Sequence, residues 1–322
     1  MKLLSRNGWI LGLAAIFALL LVATKLIQPN FGASGVESLG RAALPFAFAT
    51  AAQAIVVIAG GIDLSIASMM AVASVTAALL MDGASDAAVI PIVIFVLALG
   101  GVMGAINGLL IVLTRVPDIV VTLAMLFVWE GVALLILKAP GGAAAPWLMQ
   151  SIVGGVTIPG IPETLTAWLP KSVLVLAVAV ALIWVPLRRS KLGLSLYAIG
   201  SDPMAAFRSG VSVGRTKVLA YACTGVLAAM GGLSLTMSTG IGEPIPGPYL
   251  LASVAAVVLG GVVLGGGRGG LLGPIIAVFI LRLVRMDLTL LSVDPNVTTI
   301  IEGTIMVVVV MFGGILAARR RR

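Results

Sequence analysis

Long apolar stretches separated by short polar breaks set the pattern of this chain. The runs are Trp9–Thr24, Ala42–Ala59, a small-residue stretch ending at Met81, Ala87–Leu113, Ile119–Leu137, Ser172–Leu187, Val218–Met237, Tyr249–Leu264, Leu271–Val284 and Val297–Leu316. Most approach the ~20 residues an α-helix needs to cross a bilayer, and the shorter ones leave their boundaries open. The pattern predicts an all-α polytopic membrane protein with about ten transmembrane helices, forming one domain over residues 1–322. Lys2 and Arg6 precede the first run, but no small-x-small cleavage site leads into a polar mature start. That run is therefore expected to be a first transmembrane helix and not a signal peptide.

Composition points the same way. The chain is 60% hydrophobic and only 10% charged, against about 25% charged in an average globular domain. Its formal charge of +8 raises the question of nucleic acid, which the placement of the charges answers. With the N-terminus inside and each run crossing once, the inner segments hold fourteen basic residues and the outer segments six. The inner set is Lys2, Arg6, Arg115, Arg188, Arg189, Lys191, Arg208, Arg215, Lys217, Arg268 and Arg319–Arg322. Acidic residues collect outside, at Glu37, Asp82, Asp86, Glu163, Glu243, Asp287 and Asp294. This is the positive-inside signature, with both termini cytoplasmic, and the Arg319–Arg322 tail reads as a topological anchor.

On this topology the Gly-, Pro- and Ala-rich segment Lys138–Lys171 is external, and it exceeds an ordinary connection. Its Trp147 and Trp168 suit a surface that lies on lipid or meets a partner. Five crossings precede the segment and five follow. The halves, roughly 1–140 and 171–322, are then expected in opposite orientations, as inverted repeats. The only sequence support for a repeat is a Gly-Gly pair beside a small-residue helix, at Gly60 and again at Gly260.

The longest polar break on the basic side is the cytoplasmic loop Arg188–Lys217. Asp202-Pro203 is a strong helix start, an N-cap carboxylate followed by a residue already set to helical φ. Gly210 is the expected stop. Between them Met204, Ala205, Ala206, Phe207, Arg208 and Ser209 make about two turns, small residues beside one Phe, a shape suited to another protein's groove.

Few residues can carry chemistry. There is no histidine, and Cys223 is the only cysteine, set within an apolar run. His-based acid–base catalysis, disulfides and cysteine metal sites are thereby excluded. No P-loop, nucleophile elbow or HExxH occurs, so ATP hydrolysis or enzymatic work by this chain alone is not expected, and no cofactor is implied. Gly265, Gly267 and Gly270 spell G-x-G-x-x-G, but they join two membrane runs with no βαβ unit around them. They read as a tight turn with Arg268 at its tip. Gly60-Gly61-Ile62-Asp63-Leu64-Ser65 interrupts a membrane run. Such a break survives at membrane depth only when buried or lining a cavity. Asp63 is thus either a path residue or a cap on the next helix. Glu130 and Glu302 sit inside apolar runs, where each lines a path, pairs with another group, or lies near an interface. Asn107 is a further polar intruder, either helix–helix glue or part of the path.

These motifs carry a resemblance. Gly60–Ser65 is similar to the GGIDLS signature of ribose-type sugar ABC importer permeases. Gly193, Tyr197-Ala198-Ile199-Gly200, Ala205-Ala206 and Ser209-Gly210-Val211 resemble that family's coupling region. Gly260-Gly261, Gly265–Gly269 and Gly273 resemble its glycine turn. The three motifs occur in order over nearly the whole chain. Departures are Ala67 in place of Gly, Ser201-Asp202 in place of Gly-Asn, and Glu130 in place of Arg. The resemblance implies a bacterial inner-membrane permease working as a homo- or heterodimer, with a cytoplasmic ATPase and a periplasmic substrate-binding protein as partners. It implies an ATPase-coupling role for Gly193, Tyr197, Gly200, Asp202, Pro203, Ala205, Ala206, Phe207 and Gly210. Gly60, Gly61, Asp63 and Ser65 would lie at the translocation path or its gate, with Asn107 a candidate beside them. A monosaccharide is the expected cargo, while relatives carry autoinducers or nucleoside-like solutes and the broader fold includes branched-chain amino acid permeases. The alternative is a proton-coupled carrier using Glu130, Glu302 or Asp63.

Overall fold

Every one of the ten apolar runs becomes a helix, and four shorter helices fill the breaks. The computed structural model describes residues 2–319 except 158 and 246, so Arg320–Arg322 of the expected anchor lie outside the described residues. In chain order the helices are α1 (Lys2–Ile27), α2 (Ala33–Ile58), α3 (Ile66–Met81), α4 (Asp86–Thr114), α5 (Asp118–Ile136), α6 (Pro146–Gln150) and α7 (Glu163–Thr166). Then follow α8 (Lys171–Arg189), α9 (Lys191–Ser201), α10 (Pro203–Arg208), α11 (Val213–Thr239), α12 (Tyr249–Leu259), α13 (Leu272–Leu290) and α14 (Pro295–Arg319). Among the described residues six helices, α1, α2, α4, α5, α8 and α11, are long and apolar enough to cross a membrane. The chain is a multi-pass membrane protein. α3 and α12 are apolar but have only 16 and 11 residues. The run expected to continue to Leu264 stops at Leu259, where a glycine turn ends α12.

The centre is built by α2, α3 and α11. From Ala43 to Ile58 α2 is buried on every side, as expected of a helix that is apolar all round and enclosed by neighbours. Alanines 43, 47, 49, 51, 52 and 54 keep it thin enough to be surrounded. α11 makes its broadest contact with α4, through a row of glycines four residues apart. Added side-chain carbons at Gly104 and Gly225 would run into the backbone at Tyr221 and Gly100 respectively. With no hydrophobic drive between helices in lipid, backbone proximity of this kind supplies the association. Hydrogen bonds add to it: Ser74 Oγ and Thr236 Oγ1 lie 2.8 Å apart, and Thr224 Oγ1 donates to Ala52 O at 3.1 Å. The outer helices turn Leu19, Leu26, Leu135 and Leu182 outward, as lipid-facing surfaces do. Gly104→Leu is expected to separate α4 from α11 and cost about 1–3 kcal/mol or more, the range for overpacking. A lowered melting temperature in detergent checks this.

The segment after α5 is longer than a simple connection and folds back on the body. Gly141 pairs with Gly242, and Gly155 with Pro170, in isolated bridges. α2 and α12 end alike. Gly60 N and Gly61 N bond to Val57 O and Val56 O, and Gly261 N and Val262 N bond to Val258 O and Val257 O. Gly60 and Gly261 take φ of 86° and 84°, the left-handed C′ residue of this cap, where glycine meets no Cβ penalty. The local likeness seen at Gly60 and Gly260 is thus a shared helix stop, with the left-handed residue at the first glycine of one pair and the second of the other.

Candidate functional site

Three segments distant in sequence meet at one end of the bundle. The first is the basic loop, which holds two helices where the sequence reading expected one. Ser190 Oγ accepts from Gly193 N and starts α9. Gly193 lies against the backbone of Leu187 and Arg188, which lets α9 turn directly off α8. Asp202 Oδ1 accepts from Met204 N and Ala205 N at 2.9 and 3.0 Å, and Pro203 opens α10. Gly210 N and Val211 N bond to Phe207 O and Ala206 O, closing α10 as its sequence requires. The two faces of α10 differ: Ala206 is buried in its own chain, whereas Met204 and Phe207 are 60% and 65% exposed. Ala205 is exposed as well.

The second and third segments are the Gly60 turn and the glycine loop after α12. Gly200, at the end of α9, lies directly on Ile58 O, the last carbonyl of α2. Gly267 N donates to that same oxygen at 2.8 Å. Carbons added at Gly266 would stand 2.8 Å from Gly60 Cα and 2.9 Å from Gly200 Cα. Tyr197 Oη donates to Gly269 O at 2.8 Å, and its partial burial pushes the phenol pKa up. The backbones of the three segments thus touch at Ile58, Gly200 and Gly266–Gly267 with no side chain between them. Motion of α9 has no soft layer to dissipate in before it reaches α2 and the turn beyond.

That turn is clamped from three sides. Asp63 Oδ1 accepts from Ser65 N and Ser65 Oγ at 2.8 and 2.6 Å. Asp63 therefore shapes Ser65, the N-cap of α3, from two positions before it. Its Oδ2 is buried without a partner among the described residues. The turn lies outside the helices, and burial pushes the Asp63 carboxyl up to about 6 against the lowering pull of its Ser65 bonds. Asn107 Nδ2 donates to Ser65 Oγ at 2.7 Å, and Trp129 Nε1 donates to Asn107 Oδ1 at 3.2 Å. Leu64 N donates to Thr122 Oγ1 at 3.1 Å. Beside Gly61, Asp118 takes Lys217 Nζ at 2.6 Å and Tyr221 Oη at 2.9 Å. Asp63, Ser65 and Asn107 are all buried, Gly61 as well, while Gly60 is exposed. The arrangement fastens α4, α5 and α11 to one turn.

Sequence reasoning overlooked Asp118, Lys217 and Tyr221. The acid and base lie 99 residues apart and each reads as an ordinary helix-end charge. It also overlooked Gly100, Gly104 and Gly108, whose spacing of four was a usable signal. Of the two acids set within apolar runs, Glu302 is paired: Arg285 Nε and Nη2 reach its two oxygens at 2.7 and 2.9 Å. Glu130 is half-buried on α5.

Comparison with known proteins places these features in a family. Residues 35–310 match the family described as branched-chain amino acid transport system / permease component. Among curated proteins, the chain is similar to the autoinducer 2 import system permease protein LsrD of Escherichia coli K12, of Shigella flexneri and of Escherichia coli O157:H7. Each is 29% identical over 95% of this chain and 92% of the relative. No solved structure matches. Because the family match covers most of the chain, the chain belongs to this permease family and is the permease subunit of an ABC importer, a transport subunit and not an enzyme.

Proposed function

We propose that the chain forms the translocation path for a monosaccharide or similar small polar solute, handed over by a periplasmic binding protein. A cytoplasmic ATPase grips α9–α10. The observation that carries this is the junction itself: a rigidly capped α10 with Met204 and Phe207 exposed, joined through Gly200 backbone-to-backbone to α2. A partner that moves α10 moves the Gly60–Ser65 turn, and Asp63, Ser65 and Asn107 are the proposed gate residues. In this reading Gly193, Tyr197, Asp202, Pro203, Ala205 and Gly210 shape the coupling element, and Ala206 anchors it from beneath.

The same reading takes all ten apolar helices as crossings in an inner membrane, both termini cytoplasmic, with two inverted five-helix halves. Exposed Trp168 and Leu165 then lie outside, where a binding protein docks. Two permease chains enclose the path. The relatives named for autoinducer 2 place that solute among the cargoes to be tried beside monosaccharides. Proton coupling through Glu302 is disfavoured because both of its oxygens are occupied by Arg285.

Purification of the tagged chain from its native membrane tests the reading. A P-loop ATPase and a periplasmic binding protein are expected in the eluate. A pure homo-oligomer that catalyses solute uptake against a proton gradient would overturn it.

A further inference from the structure

Away from the junction, one cluster of charged groups sits where a membrane protein tolerates few. Phe46 lies twelve residues before the end of α2, Tyr249 ten residues before the end of α12, and Arg282 ten residues into α13. Those three helix ends all lie in or next to the glycine junction: Gly267 N bonds Ile58 O, and Gly260 packs on Pro274. At 1.5 Å per residue the three side chains sit ~15–18 Å from the junction, about half the ~30 Å hydrocarbon thickness. α12 begins at this depth, so its entering backbone, Pro248 included, is non-helical within the membrane. Such backbone is tolerated there where protein buries it or where it lines a cavity.

A cavity is there. It holds about 30 Å³ and is lined by Phe46, Tyr249, Ala252, Arg282, Arg285 and Glu302 among others, room for about two waters. The Arg282 guanidinium stands 5.1 Å from the Phe46 ring centre and 5.6 Å from that of Tyr249. Its Nε is buried and has no hydrogen-bond partner among the described residues. No carboxylate pairs with Arg282 among the described residues, whereas Arg285 beside it is satisfied by Glu302. An intramembrane ionisable group is costly and marks a functional place by default. Two arginines are spent here and only one is neutralised.

We propose that this cluster is a solute-contact site halfway along the path, made for a small polyhydroxylated molecule of pentose or hexose size. The inference rests on the importer reading above. Arg282 donates to sugar oxygens, the Glu302 carboxylate accepts from sugar hydroxyls, and the Phe46 and Tyr249 rings meet the C–H faces. The Arg285–Glu302 pair is neutral as a unit, and a wall with both donors and acceptors suits hydroxyls, which do both. The cavity is smaller than a sugar, and its walls part by a sugar's width when the access state changes.

The test uses the permease–ATPase complex in nanodiscs, with Cys223→Ala as background and Ala252→Cys or Leu281→Cys as reporters on two different helices. The probes are a charged, water-soluble methanethiosulfonate and a mixture of D-ribose, D-xylose, L-arabinose, D-galactose and D-glucose. Both reporters are expected to label during ATP turnover. Sugar at about ten times its dissociation constant slows labelling about tenfold by mass action, and Arg282→Met abolishes that protection. Absence of labelling at both positions, labelling indifferent to sugar, protection by carboxylates instead, or protection that survives Arg282→Met each overturns the site. ATPase retention is measured in parallel on the complex without any reporter mutation. Its loss counts against the importer reading alone, because the cluster lies half a membrane away from α10.

Discussion

Phe207→Asp is expected to abolish ATP-driven uptake while leaving the permease inserted and folded. Phe207 contributes little to its own chain, being 65% exposed at the end of a six-residue helix. Its replacement therefore leaves the bundle intact, and surface substitutions of this kind usually shift stability by no more than ~0.5 kcal/mol. An apolar anchor in a partner's pocket is another matter, since truncating a hot spot removes ≥ ~2 kcal/mol of binding and a buried unpaired carboxylate adds to that. The ATPase is expected to be lost from the purified complex at an unchanged melting temperature of the permease. Ala206→Glu is a poorer probe of the same idea. Ala206 is buried against its own chain, so a glutamate there unseats α10 from within.

Gly200→Val is expected to produce the opposite pattern: a complex that still binds its ATPase but hydrolyses ATP without moving solute, in a less stable permease. The valine would enter space held by Ile58 O and Gly267 N. Neither is the flexible end of a side chain, so whole backbones must shift. Overpacking commonly costs about 1–3 kcal/mol, and the contact with backbone puts this change at the upper end. The Ile58 O to Gly267 N bond is lost with it. Measured together, ATP hydrolysis, uptake and melting temperature separate this result from that of Phe207→Asp. Wild-type uptake in Gly200→Val would remove the junction from the transmission route.

How far the sequence carries follows from where each constraint is local. The start and stop of α10 were legible because Asp202-Pro203 and Gly210 act through bonds to residues within four positions. The ten apolar runs were legible for the same reason. The early end of α12 was less so, because the apolar composition continues past Leu259 to Leu264 and only the Gly260-Gly261 stop breaks the helix. Three glycine-bearing motifs could be read one by one, but their meeting at Ile58 O could not, since nothing in a sequence states which backbone a bare glycine admits. The long-range pairs were beyond reach as well. Lys217 and Asp118, or Arg285 and Glu302, are recognisable as partners only once the helices that carry them are adjacent. Asp63 was open between cap and path. Its bonds to Ser65 give it a turn-shaping part, and its Oδ2, without a partner among the described residues, remains open to a path role.

The most direct measurement places a photo-reactive benzoylphenylalanine at position 207 and irradiates native membranes, with adducts identified by mass spectrometry. One dominant adduct is expected, to a P-loop ATPase, with a yield that changes when ATP is added. Adducts to lipid or to the permease itself with no ATPase among them would contradict it, and would detach α10 from the role on which the whole account of coupling depends.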